Sequence, residues 1–209
     1  MAETTEAQQT LWSGLDLRSG IKGGSQAARE LLRNSVWQNE LEGGERYELL
    51  ALASRTRPAA FLSAIDLPGG VAPQLRWRGD LAVAWSLRYR RVAETAPRTA
   101  PPFAIYVLGV NPPAGLTDEE MVEFDGFYTS VHMPEVAERR NCLRATRYEL
   151  EQALHPAGRG SPRFLVVYEV DEAGSQNRKH IGAPYTAGPP VWQRHTTPWR
   201  FWYRRLGDD

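Results

Sequence analysis

Apolar and polar positions divide the chain into short strand-like runs separated by Gly- and Pro-containing turns, with a few stretches at helical spacing. Strands are predicted over 11–17, 46–53, 59–67, 81–92, 103–110, 143–150, 163–170 and 199–206. The run 103–110 is apolar at successive positions, so both faces of that strand are expected to be buried. A helix is predicted from a Ser25 cap to about Glu40, with Leu31, Leu32 and Val36 on one face and Gly43-Gly44 as its stop. A second helix begins at Thr117-Asp118-Glu119-Glu120, which has capping-box spacing, and it places Met121, Phe124, Tyr128 and Val131 on one side. Pro134 disfavours the helical conformation at Met133. A kink or restart is therefore predicted there, with a last short helix running to Arg140. Residues 171–190 are polar and Gly/Pro-containing, with room for a short helix.

The same order of elements occurs twice, and short words recur with it. Arg46-Tyr47-Glu48-Leu49 returns 101 residues later as Arg147-Tyr148-Glu149-Leu150. The run from Phe61 aligns with that from Phe164, and the run from Trp85 with that from Trp199. Preserved order with growing offsets points to an internal duplication. The expected fold class is α+β, with two tandem ferredoxin-like β-α-β-β-α-β repeats forming an intramolecular dimeric α/β-barrel. Repeat one would span 1–96 with a polar tail over about 1–9, 97–102 would be a Pro-rich linker, and 103–209 the second repeat. Because fusion supplies the partner sheet, a monomeric pseudo-dimer would suffice, though further association through helices or outer edges stays open.

Charge narrows the partners. Twenty-five basic and 25 acidic residues cancel, which gives no reason to expect nucleic acid or an anionic membrane. Cys142 is the single cysteine, so no intramolecular disulfide or cysteine-based metal cluster can form. The polar N-terminus has no signal-peptide core, and no apolar run reaches spanning length. A cytoplasmic protein acting on a small molecule is the expectation. No metal-ligand spacing, phosphate-binding glycine loop or nucleophile elbow is present.

Phe127-Tyr128-Thr129-Ser130-Val131-His132-Met133-Pro134, followed by Cys142 to Tyr148, resembles the EthD-like branch of the dimeric α/β-barrel superfamily. That superfamily includes polyketide cyclases, quinone-forming monooxygenases, isomerases, decarboxylases and heme-degrading enzymes, so the resemblance names no single reaction. Two departures stand out. The chain carries two repeats where a typical member carries one, and its first repeat has Leu31 to Trp37 where the histidine would fall. The tandem arrangement is also similar to chlorite dismutase-like and dye-decolorising peroxidase-like proteins, which bind heme in the C-terminal repeat. No motif specific to those groups occurs.

His132 is the leading catalytic candidate, since an imidazole titrates near neutrality and can donate or accept a proton. Tyr128, one helical turn earlier, can hold a substrate oxygen. The alternative is a histidine that only hydrogen-bonds at a helix end. Phe124, Phe127, Val131, Arg147 and Trp199 are the candidate substrate-contacting residues. Arg147 can neutralise an anionic substrate or serve a structural ion pair with Glu149 or a helix end. Trp199, Phe201 and Tyr203 alternate onto one strand face, with Arg200, Trp202 and Arg204 on the other; one face is core and the other can wall a pocket. His155 reads as a surface residue, and Asp125 and Glu123 as solvent-facing. His180 and His195 flank a long loop that can close over a pocket. The leading expectation is a cofactor-independent enzyme that acts by proton transfer on a small aromatic, polyketide or related carbonyl compound. The alternatives are a heme enzyme with His132 or His180 as axial ligand, and a non-catalytic carrier or scaffold.

Overall fold

The computed structural model describes residues 8–17, 45–52, 59–67, 81–155, 160–176 and 184–206. The helix predicted after Ser25, its Gly43-Gly44 stop and His180 lie outside these residues. The strands are β1 (Gln9–Leu17), β2 (Glu45–Leu52), β3 (Phe61–Leu67), β4 (Leu81–Glu94), β5 (Ala104–Asn111), β6 (Arg144–His155), β7 (Phe164–Val170) and β8 (Thr196–Arg205). Between β5 and β6 run α1 (Asp118–Phe127), a π-helical turn (Tyr128–His132) and α2 (Met133–Arg139). Two short helices, α3 (Glu172–Gln176) and α4 (Pro190–Gln193), lie between β7 and β8.

Each predicted strand run forms, but the expected architecture does not. The strands make one closed antiparallel barrel in the order β1-β3-β2-β8-β5-β7-β6-β4, with β4 returning to β1. Two ferredoxin-like α/β repeats packed sheet against sheet would leave edge strands at the ends of each sheet. Here those edges hydrogen-bond to one another. β2 pairs with β8, from Tyr47 opposite Arg205 to Leu52 opposite Phe201. β4 pairs with β6, from Ser86 opposite His155 to Glu94 opposite Thr146. An unpaired edge leaves backbone donors and acceptors open, and closure satisfies them. Closure also accounts for the length of β4 and β6, which run past their predicted ends. The protein is thus a strand-rich closed barrel, and among the described residues its few helices all belong to the second half.

An eight-stranded barrel has an interior just wide enough for side chains to fill. One buried cluster draws on all eight strands, which only the interior allows. It holds Trp12, Tyr47, Leu62, Leu87, Ile105, Tyr148, Val167 and Phe201 among others. At Gly14 a Cβ would come within 2.3 Å of the Trp85 ring nitrogen, so this indole packs directly on the β1 backbone. Two buried tyrosines tie the halves together. The Tyr89 hydroxyl on β4 donates to the Pro162 carbonyl just before β7, and Tyr203 on β8 donates to the Ala59 carbonyl just before β3, each at 2.9 Å. Tyr47 and Tyr148 stand on β2 and β6, the second strand of each half.

The second core lies outside the barrel wall. Tyr106, Val166, Tyr168 and Trp202 alternate with the interior residues of their strands and pack against Phe124, Tyr128, Met133, Val136 and Trp192 from the helical layer. That explains why β5 and β7 are buried on both faces, as expected of the 103–110 run. No helix among the described residues is long and apolar enough to cross a membrane.

Candidate functional site

The helical layer owes its position to local chemistry at both ends of α1. At its start the capping box forms as predicted: the Glu120 N–H donates to Thr117 Oγ1 at 3.2 Å and the Thr117 N–H to Glu120 Oε2 at 3.0 Å. At its far end the predicted restart is a π-helical turn followed by α2, which ends at Arg139, but the non-helical conformation expected at Met133 is absent. Met133 is helical, with φ −63° and ψ −46°, and its N–H donates to the Tyr128 carbonyl five residues back. Pro134 has no N–H to bond the Ser130 carbonyl, as an α-helix would require. The widened π turn takes up that mismatch while the chain keeps its direction. Such single turns are frequent at functional sites.

Because the helix continues, Tyr128, His132, Val136 and Arg140 recur every fourth residue and all line one cavity of about 260 Å³. Tyr106, Leu108 and Val110 supply its wall from the outer face of β5, and Thr197 and Arg200 continue it at β8. Tyr185, Trp192 and His195, from the segment before β8, complete it. The ring of His132 lies 4.7 Å from Trp192, 5.3 Å from Tyr185 and 6.0 Å from Tyr128, centroid to centroid.

His132 Nδ1 is buried and has no hydrogen-bond partner. A buried polar atom left in this state is costly, and its presence calls for an explanation in function. Burial, followed by the nearby His195, lowers the His132 pKa to about 4, against a smaller opposing pull from Glu135. The imidazole is therefore neutral at pH 7. Tyr128 is 1% exposed, and burial raises its pKa, so it stays a protonated phenol. His195 Nδ1 sits 2.6 Å from the Trp192 carbonyl oxygen. A carbonyl only accepts, so Nδ1 carries the hydrogen, and in the neutral ring Nε2 is the acceptor.

The remaining predicted site residues lie outside the cavity lining. Phe124 is fully buried beneath it, 5.1 Å from Trp192 and 6.2 Å from Phe164. Phe127 packs on the Trp192 ring at 5.3 Å. Val131 is 37% exposed and turned away. Arg147 is 3% exposed and donates to Thr129 Oγ1 at 2.8 Å and to Asp125, with its guanidinium 4.1 Å from the Phe164 ring and 4.6 Å from that of Tyr128. It pins the helical layer to β6. Glu149 is engaged elsewhere, by Arg90 and Arg163. Trp199 faces the barrel interior, 4.9 Å from Trp85. His155 is exposed, as expected.

Sequence reasoning weighed His195 and named the Arg200 face, but missed Tyr106, Arg140, Tyr185 and Trp192. A signal for Arg140 was present: the four-residue series from Tyr128 extends to it once no break is assumed at Pro134. Tyr106 follows from the alternation of β5. Tyr185 and Trp192 lie far along the chain, in a segment without periodicity.

A second cavity, of about 160 Å³, opens at one end of the barrel interior beside Trp12, Tyr47 and Tyr148. Its charges answer one another: Arg144 bonds Glu169 at 2.6 Å, and Arg98 bonds Glu45 at 2.8 Å and Glu169 at 3.3 Å. Among the described residues no cluster of His, Cys, Asp and Glu could hold a metal ion.

A heme does not fit the first cavity. A void of about 150 Å³ holds one benzene ring, so about 260 Å³ takes a substituted ring and not a porphyrin of four methine-bridged pyrroles. A metal-ligating histidine almost always donates its other N–H to an acceptor. His132 Nδ1 has no such acceptor.

No protein-family model matches the sequence, and no curated protein matches it. Among solved structures, the chain is similar to the crystal structure of a protein provisionally described as a chlorite dismutase, with a TM-score of 0.51 and 11% identity over 97% of this chain and 96% of the other. At that identity the likeness speaks for the fold alone. It does not reach the EthD-like resemblance of the helix or the internal duplication.

Proposed function

We propose that this protein is an acid–base enzyme for a small aromatic or related carbonyl compound, with the cavity against β5 and β8 as its active site. The observation that carries the reading is that His132 and Tyr128 line one aromatic-walled cavity of single-ring size, their ring centroids 6.0 Å apart. His132, neutral at pH 7, is in the form that takes a proton from carbon next to a carbonyl. Tyr128, held as a phenol, donates to the oxygen on which charge develops. The EthD-like resemblance of the Tyr128–His132 run supports the same roles. Cyclisation, dehydration, isomerisation and oxygen insertion can all begin from that transfer.

The test works whatever the final product is. Aryl ketones and phenolic ketones are incubated with the protein in D2O, and exchange at the α-carbon is followed by NMR. Exchange above the buffer rate that disappears in His132→Ala supports the reading; no exchange with any of them sinks it. The fold likeness motivates a heme reading as well, which the cavity volume opposes. Heme added to the purified chain is expected to give no sharpened Soret band, and a stoichiometric band lost in His132→Ala would reverse that conclusion.

A further inference from the structure

We propose that the cavity selects ring compounds carrying a negative charge, a carboxylate or an ionised hydroxyl, with Arg200 as the residue that recognises it. The inference deepens the active-site reading above and rests on its choice of cavity. Besides its tyrosines, which stay protonated phenols at neutral pH, the titratable groups of the lining are of one kind. Arg140 and Arg200 are cations, His132 and His195 are bases, and among the described residues no carboxylate lines the space. In the barrel-end cavity carboxylates stand in the lining itself and pair with its arginines. The nearby acids of the helical layer are occupied: Glu135 by Arg139 and Thr186, Glu120 by Arg194, Asp125 by Arg147.

Arg200 stands on β8 with an exposed side chain, and among the described residues no carboxylate pairs with it. A guanidinium at the rim of an apolar cavity presents a planar fork that matches a carboxylate. Behind it lie flat surfaces for the ring, from Tyr106, Tyr185 and Trp192. The same positive charge is felt by the walls: burial raises the pKa of Tyr106 while Arg140 and Arg200 act against that rise, and His195 adds to the burial that lowers the pKa of His132, with Glu135 opposing. An anionic ligand relieves this accumulation, and a cationic one adds to it.

Binding of benzoate, benzamide and benzylamine to the full chain, followed by calorimetry at two salt concentrations, tests the proposal. None of the three has a carbon acid, so the result is independent of whether proton transfer occurs. Benzoate is expected to bind at least about tenfold more tightly than benzamide, benzylamine not detectably, and the benzoate preference should shrink with salt. Arg200→Gln should abolish most of that preference by weakening benzoate several-fold more than benzamide, and Arg200→Lys should restore part of it. Equal binding of benzoate and benzamide, equal weakening of both by Arg200→Gln, or binding of none overturns the proposal. In the first two cases α-carbon exchange with neutral ketones can still stand, which separates failure of the charge preference from failure of the active-site reading.

Discussion

Tyr128 and His132 are the first and last residues of one π-helical turn, with ring centroids 6.0 Å apart and both side chains on the same cavity. The turn that accommodates Pro134 keeps the two groups on one face, as their four-residue spacing alone would do. If they share one substrate, losing the base should cost more than losing the hydrogen bond. His132→Ala is expected to lower turnover by about 10²–10⁴, the usual contribution of a positioned acid or base. Tyr128→Phe keeps the buried ring and should cost less. Steady-state kinetics on a ketone that shows exchange decides it. Full activity with reduced thermal stability in His132→Ala would make the histidine structural.

The depressed pKa of His132 has a consequence for stability. An unfolded histidine takes up a proton near pH 6.5, whereas the folded one resists until about pH 4. Folding is therefore opposed progressively as pH falls through this window, and stability is fully present above it. Burial is the main cause, His195 on the cavity wall reinforces it, and Glu135 opposes it. His132→Phe should remove part of the acid-side loss, on the order of 1–2 kcal/mol after allowing for partial solvent access. Urea midpoints of both proteins at pH 7.5 and pH 4.5 (about one unit outside and just inside the window) measure it. Parallel losses in the two proteins would show that His132 is not the group responsible.

Asp125 should matter to stability and not to chemistry. Removing it by Asp125→Ala leaves the Arg147 guanidinium buried, with Thr129 as its remaining oxygen partner. Stranding a buried charge costs about 3–5 kcal/mol when the partner is equally buried. Asp125 is 41% exposed at the side chain, so about 2 kcal/mol is expected here. Denaturant unfolding gives the number. Turnover per folded molecule should stay within about threefold; a larger loss would put Arg147 in the reaction path.

Gly188 tests how firmly Trp192 is held. A Cβ there would lie 2.3 Å from Trp192 Cδ1 and 2.6 Å from Phe127 Cε1, closer than atoms can pack. Gly188→Ala is therefore expected to displace the indole on which His195 stacks and against which His132 packs at a tilt. Benzamide affinity should fall by about tenfold and the tryptophan emission should shift, while the barrel's far-UV signal is unchanged. Unaltered affinity would show that Trp192 does not shape the ligand space.

Local rules settled much of this protein in advance. The capping box at Thr117 depends on residues three apart, and it forms as read. Strand runs follow from alternation and from punctuation by Gly and Pro, and their places were legible from Gln9 to Arg205. The pairing of Tyr128 with His132 was legible too, because it needs only helical spacing. What tertiary structure decided is which edges meet and which faces look inward. Whether β2 finds β8, and β4 finds β6, depends on backbone groups that every strand carries alike, so no side-chain pattern announces a closed barrel over two packed sheets. Trp199 and Arg200 differ by one position on β8, and alternation alone could not say which of them faces the ligand. Closure turned Trp199 into the barrel and left Arg200 at the cavity, beside Tyr185, Trp192 and His195, which reach it from far along the chain through packing that only the assembled barrel wall provides.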